Sequence, residues 1–148
     1  MCCALAEAKK AGESGEVPVG CVIVHDNEIV ASAGNSCIKD NSPLRHAEVN
    51  AIEIACKKAK NYRLTDHIMF VTLEPCHMCC MAIVHARIKK VFFSLTEPKS
   101  GAVVTNDNFF DHNYFLVLFS VFSFVCDLFF GCLLFVFGVV VFFVVVFW

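Results

Sequence analysis

An α/β layered domain is what this 148-residue sequence predicts. Three observations carry that prediction. Four short apolar runs, at 17–24, 28–33, 68–73 and 91–95, have the composition of strands. The first two are joined across the turn pair Asp26-Asn27, which makes a hairpin. The later two alternate with helical stretches, and strands that alternate with helices pair in parallel. The length suits one domain with a substantial core.

Taken in order, residues 4–11 form a first helix, with Leu5 and Ala8 on one face and charge on the other, stopped by Gly12 and Gly15. The run 17–24 is almost continuously apolar, the pattern of a strand buried on both faces. Strand 28–33 returns beside it, and 34–45 is a polar loop with Pro43 near its end. His46 opens a second helix that reaches about Lys60. Its apolar side is Val49, Ile52, Ile54 and Ala55, and Lys57, Lys58 and Lys60 complement the negative end of its dipole. A third strand, 68–73, ends at Glu74-Pro75. Residues 76–87 form a third helix, apolar through Met81, Ala82, Ile83 and Val84, and 91–95 is the fourth strand. No internal repeat is present.

The composition divides the chain in two. All 12 Lys and Arg, and every Asp and Glu except Asp127, lie at or before Asp111. Thirteen of the 16 Phe lie at or after Phe109, and from 113 to 148 the chain is almost wholly apolar. The net charge of −2 therefore describes the first part, and it leaves room for a local basic patch that binds RNA. Arg87, Lys89 and Lys90 suit either phosphate contact or a solvated helix end. The start of the chain lacks the basic-then-apolar order of a signal peptide, so the scattered cysteines read as free or metal-bound thiols in a reducing cytoplasm.

Two short segments carry the chemistry: His46-Ala47-Glu48, and Pro75-Cys76-His77-Met78-Cys79. Together they offer one imidazole and two thiolates, a set that suits zinc and leaves a fourth position for water. A Cys-x-x-Cys at the start of a helix lets both sulfurs converge on one ion, and the helix N-terminus favours thiolate over thiol. Glu48 lies close to the set without being needed as a ligand. It is the candidate catalytic residue, carrying a proton from the attacking water to a ring nitrogen and then to departing ammonia. His-x-Glu followed by Pro-Cys-x-x-Cys is the pattern of zinc-dependent nucleobase deaminases. A redox pair would use the two cysteines but leave His46 and Glu48 unexplained. His77 sits beside the ligands and is not assigned to the metal; His25, His67 and His85 read as surface or packing residues.

Over residues 4–103 the sequence resembles the tRNA-specific adenosine deaminase family, within the wider cytidine and deoxycytidylate deaminase superfamily. The resemblance rests on Glu7-Ala8-Lys9-Lys10, Gly15-Glu16-Val17-Pro18-Val19-Gly20, Gly34-Asn35, His46-Ala47-Glu48, Leu73-Glu74-Pro75-Cys76, Met78-Cys79 and Ala86-Arg87-Ile88. It implies a three-layer α/β/α cytidine-deaminase-like domain with a mixed sheet. It also implies one Zn²⁺ per chain on His46, Cys76 and Cys79, with Glu48 as proton carrier and Asn35 hydrogen-bonded to the flipped nucleoside. The implied reaction is hydrolysis of adenosine to inosine at the wobble position of a tRNA anticodon loop, by a cytoplasmic homodimer. An unstacked loop base is easier to extrude than one in a duplex.

The C-terminal elements are atypical for that family, whose members continue with a fifth strand and charged amphipathic helices. The sequence divides into a deaminase domain over 1–112 and an apolar tail over 113–148. Three readings fit the tail: a membrane anchor through 114–148, an out-of-frame end rich in residues with thymine-rich codons, or a buried C-terminal element. Two rival functions stand beside the tRNA one. The first is a deaminase of free cytosine, guanine or a nucleotide. The second is an inactive zinc-binding remnant with a membrane-like tail.

Overall fold

The structure is a computed structural model that describes residues 1–106, 109–111, 117–120 and 143–144. Its elements run α1 (Cys2–Glu13), β1 (Gly20–His25), β2 (Glu28–Gly34), α2 (Ala47–Ala59), β3 (Ile68–Leu73), α3 (His77–Ala86) and β4 (Lys90–Leu95). A 3₁₀ turn at Phe109–Asp111 and two short strands, β5 (Val117–Ser120) and β6 (Phe143–Val144), follow. The sheet order is β2-β1-β3-β4-β5-β6. β1 is antiparallel to β2 and to β3, whereas β3 and β4 are parallel, so the sheet is mixed.

Local chemistry accounts for most of these elements. Asp26 and Asn27 both adopt positive φ, as a two-residue hairpin turn with the right twist requires. β1 alternates between the two faces of the sheet. Cys21 and Ile23 join the main core with Ala47, Ala51 and Ala55 of α2 and Ile83 and Ala86 of α3. Gly20 meets α1 from the other side: a Cβ there would lie 2.0 Å from the carbonyl oxygen of Ala4 and 2.5 Å from the nitrogen of Ala8. Only a glycine admits that approach, so helices cover both faces.

The helices bury only part of the faces that periodicity suggested: Ala8, Ala55 and Ile83 are inside as expected, but the larger members differ. α1 runs through Gly12, and it buries Ala4, Ala8 and Ala11 while Leu5 is exposed. α2 buries Ala47, Glu48, Ala51 and Ala55 and leaves Ile54 exposed. In α3 the buried residues are Cys79, Cys80, Ile83 and Ala86, and Met81 lies outside. Close backbone approach to the sheet selects small side chains for the inner face, and the larger apolar ones are displaced outward.

Most of the apolar tail lies outside the described residues. Within them, β5 pairs in parallel with β4, from Lys90 opposite Val117 to Phe93 opposite Ser120, and β6 pairs antiparallel with β5. Among the described residues no helix is long and apolar enough to cross a membrane.

Candidate metal centre and active site

The sheet brings the two motifs together across 30 residues of chain. His46 precedes α2 as its N-cap, and Cys76 precedes α3 as its N-cap; both have extended backbone. Cys79 lies in the first turn of α3, on its buried side. His46 Nδ1 stands 3.7 Å from Cys76 Sγ and 3.5 Å from Cys79 Sγ. The ligand atoms of His46, Cys76 and Cys79 all lie within 4.8 Å of one another. Tetrahedral zinc, with bonds of about 2.3 Å to sulfur and 2.0–2.1 Å to nitrogen, needs N–S separations of about 3.6 Å. The donor set and its spacing therefore fit the ion.

The electrostatics suit a thiolate site. The Cys76 thiol is lowered to about 5, first by a hydrogen bond from the Cys79 thiol and then, against the cost of burial, by the N–H groups of Cys79 and Met78 at the start of α3. Cys79 is raised by the same hydrogen bond and by burial. Cysteines bind a metal as thiolates, so metal binding here releases protons. Cys80 is buried beside them with its thiol directed to the carbonyl of Pro75, 3.7 Å away, and lies outside the ligand group. His77 also lies outside that group; its ring meets Phe109 edge-on.

Glu48 is the charged side chain that the fold buries next to the ligands, at 4 % exposure. Burial holds its carboxyl above the ordinary value, opposed by its backbone hydrogen bond and by the neighbouring His46 and Cys79. A carboxyl whose proton affinity is raised toward neutrality can both take and give a proton. Asn35 sits at the end of β2, and its Oδ1 accepts the N–H of Ala47 at 2.8 Å. That bond ties the β2 end to the start of α2 and fixes which way the amide faces. Asn50 reinforces the junction, with Nδ2 donating to the Gly34 carbonyl and the Ser36 hydroxyl, each at 3.0 Å.

Three residues to which sequence reasoning gave no role support this arrangement. Asn50 is one. Glu16, also buried, accepts the N–H groups of Ile38 and Lys39 and so secures the loop that leads to His46. Glu74, buried immediately before Pro75, accepts five hydrogen bonds from the stretch 97–105. A carboxylate inside an apolar run next to a ligand motif is the signal that could have singled out Glu74. Of the other histidines, His25 and His67 stack on each other with centroids 4.2 Å apart, a packing role. Lys89 pairs with Asp66 at 2.8 Å.

Known proteins place this geometry. The model of the cytidine and deoxycytidylate deaminase zinc-binding region matches residues 1–95. A tRNA-specific adenosine deaminase of Aquifex aeolicus is 47% identical over 108 residues, which cover 73% of this chain and 72% of that protein. A solved structure from work on A-to-I editing by tRNA:A34 deaminases at the wobble position superposes with a TM-score of 0.74 at 39% identity. That match covers 78% of this chain and 87% of the other. A guanine deaminase structure from Bacillus subtilis superposes with a TM-score of 0.63 at 38% identity, covering 73% of this chain and 69% of that one. With its metal-ligand cluster, buried glutamate and mixed sheet, the chain belongs to the zinc-dependent cytidine and deoxycytidylate deaminase family.

Proposed function

We propose that the chain hydrolyses adenosine to inosine and ammonia at the wobble position of tRNA, with zinc on His46, Cys76 and Cys79. The observation that carries the chemistry is Glu48, buried against the ligand set without being one of its members. The substrate is supported by the 47% identity to a tRNA-specific adenosine deaminase. Zinc bound here supplies a Lewis acid that brings the pKa of a water toward about 7. Glu48 takes the proton of the attacking water and delivers it to the ring nitrogen beside the attacked carbon. A second transfer through the same carboxyl protonates the departing ammonia. Asn35 keeps its Oδ1 on Ala47, and its Nδ2 is the donor we assign to the nucleoside.

A second reading, hydrolysis of free guanine, is favoured by the likeness to the Bacillus subtilis guanine deaminase. The full chain should be offered an anticodon stem-loop with adenosine at the wobble position and, separately, free guanine and cytosine. Inosine in the stem-loop with no turnover of the free bases supports the tRNA reading. Xanthine from guanine without inosine replaces it with the second.

We further propose a cytoplasmic homodimer built on a deaminase domain over 1–112, with 113–148 as an appended tail. The exposed Leu5, Val17, Ile29, Ile38 and Leu44 give the described surface apolar area that an interface can use. Sedimentation in the absence of detergent checks both points. A dimer in the supernatant supports them, and recovery only from a detergent-extracted membrane fraction assigns 114–148 to an anchor instead.

A further inference from the structure

Glu74 is a buried acid that the chemistry above leaves without a task. It follows β3, is 3 % exposed, and gathers its donors from one stretch of chain. Oε1 accepts the N–H groups of Val103, Val104 and Thr105 at 2.9, 2.8 and 3.0 Å. Oε2 accepts the N–H of Glu97 at 3.0 Å and the hydroxyl of Thr105. Only a carboxylate presents two acceptor oxygens, with about four lone-pair sites, to such a cluster. An amide would turn a donor toward other donors.

The same stretch grips the residues that follow Glu74. The N–H of Ala102 donates to the carbonyl of Pro75 at 3.0 Å, and Gly101 forms an antiparallel bridge with Cys76. Gly101 has no room for a side chain: a Cβ would lie 2.5 Å from Glu74 Oε2 and 2.6 Å from the Glu97 carbonyl oxygen. The backbone of Glu74 is itself fixed, its N–H donating to the Leu95 carbonyl at 2.8 Å. Thus the side chain of Glu74 holds the stretch, and the stretch holds Pro75 and Cys76. His46 at the start of α2 and Cys79 in α3 make no hydrogen bond to this stretch among the described residues.

We propose that Glu74 is a positioning residue for the metal: through the stretch 97–105 it fixes Cys76 at the spacing from His46 and Cys79 that zinc requires. This inference rests on the zinc reading of those three residues and is independent of which base is deaminated. Groups that orient metal ligands from outside typically change metal affinity 10–100-fold when removed.

The test compares the full chain with Glu74→Gln, which alters the carboxylate alone, and Gly101→Ala, whose Cβ crowds both the carboxylate and the Glu97 carbonyl. Zinc affinity is measured by chelator competition, ligand geometry by the visible absorption of the Co²⁺-substituted protein, and stability by thermal melting. A core variant remote from the site, Leu64→Ala, calibrates what lost stability alone does. The proposal expects both variants to release zinc at least tenfold more readily and to shift the cobalt bands, while Leu64→Ala leaves both unchanged. Lower melting temperatures with parental zinc affinity and parental cobalt spectra would overturn it. If Glu74→Gln and Gly101→Ala fail to fold, Thr105→Val decides. It deletes the hydroxyl donor alone, and a two- to fivefold loss of zinc affinity supports the proposal while unchanged affinity overturns it. Failure of the parent to form inosine would remove the tRNA reading and leave this comparison intact.

Discussion

Helices α2 and α3 both begin on a residue of the candidate ligand set, His46 and Cys76, each with extended backbone. Both also end on a non-glycine residue in left-handed conformation, Lys60 and Arg87. Their starts are held by different chemistry. At α2 neutral amides make the nearest contacts: Asn35 accepts the first helical N–H, and Asn50 ties down the approaching loop, whose far part the Glu16 carboxylate holds. At α3 charged groups make them. The Cys76 sulfur draws on the N–H groups of Met78 and Cys79, and the Glu74 carboxylate gathers the stretch that braces Pro75 and Cys76. The start of α2 thus offers the metal one neutral imidazole, whereas that of α3 offers two sulfurs beside its helix N–H groups.

The largest effect that would break this contrast comes from Cys79→Ala. Zinc and deaminase activity should both fall to background. Hydrogen exchange should quicken at the amides of 77–80 and stay parental at 47–50; equal quickening at both helices would refute the asymmetry. Next is Glu48→Ala, which removes the proposed proton carrier and no member of the candidate ligand set. Deamination should fall by about 10²–10⁴-fold, with zinc content kept near one per chain, as metal analysis and single-turnover assays would show.

Asn35→Ala sharpens the α2 side. One helix-start N–H loses its acceptor, at a cost of about 1 kcal/mol in unfolding free energy. KM for the stem-loop should rise while zinc affinity is kept; a variant that lost zinc would place Asn35 in the metal support instead. The smallest effect belongs to Glu53, midway along α2, whose carboxyl Lys57 and Arg45 hold below the usual value. Because its folded pKa is depressed, its contribution is present above the unfolded value of about 4.3 and is lost as pH falls through the folded one. At 40% exposure the ion pairs are screened, so Glu53→Gln should cost under about 0.5 kcal/mol at pH 7. Denaturant melts should show that difference vanishing in acid and in high salt.

The sequence made the site legible because its parts are local. His46 and Glu48 lie two residues apart, Cys76 and Cys79 three, and each pair opens a helix. The order of strands and helices was legible for the same reason, down to the positive-φ turn at Asp26-Asn27. Periodicity placed Ala8, Ala55 and Ile83 inside correctly but not the rest of each inward face. Leu5, Ile54 and Met81 are the larger apolar residues, yet alanines and Cys79, Cys80 and Ile83 face the sheet, because backbone separation decides the matter and one helix's pattern does not encode it. Glu74 escaped because its partners lie 23–31 residues further on. The antiparallel pairing of β1 with β3 escaped because alternation of strands and helices argues only for parallel neighbours.

In the proposed mechanism His46, Cys76 and Cys79 hold one zinc, and Glu48, outside that set, moves the proton. The decisive experiment is inosine formation on an adenosine-containing anticodon stem-loop, with zinc content determined on the same preparation of the full chain and of Glu48→Ala. About one zinc per chain is expected in both proteins, with inosine from the parent alone. Inosine from Glu48→Ala at the parental rate, or loss of zinc from that variant, would contradict it.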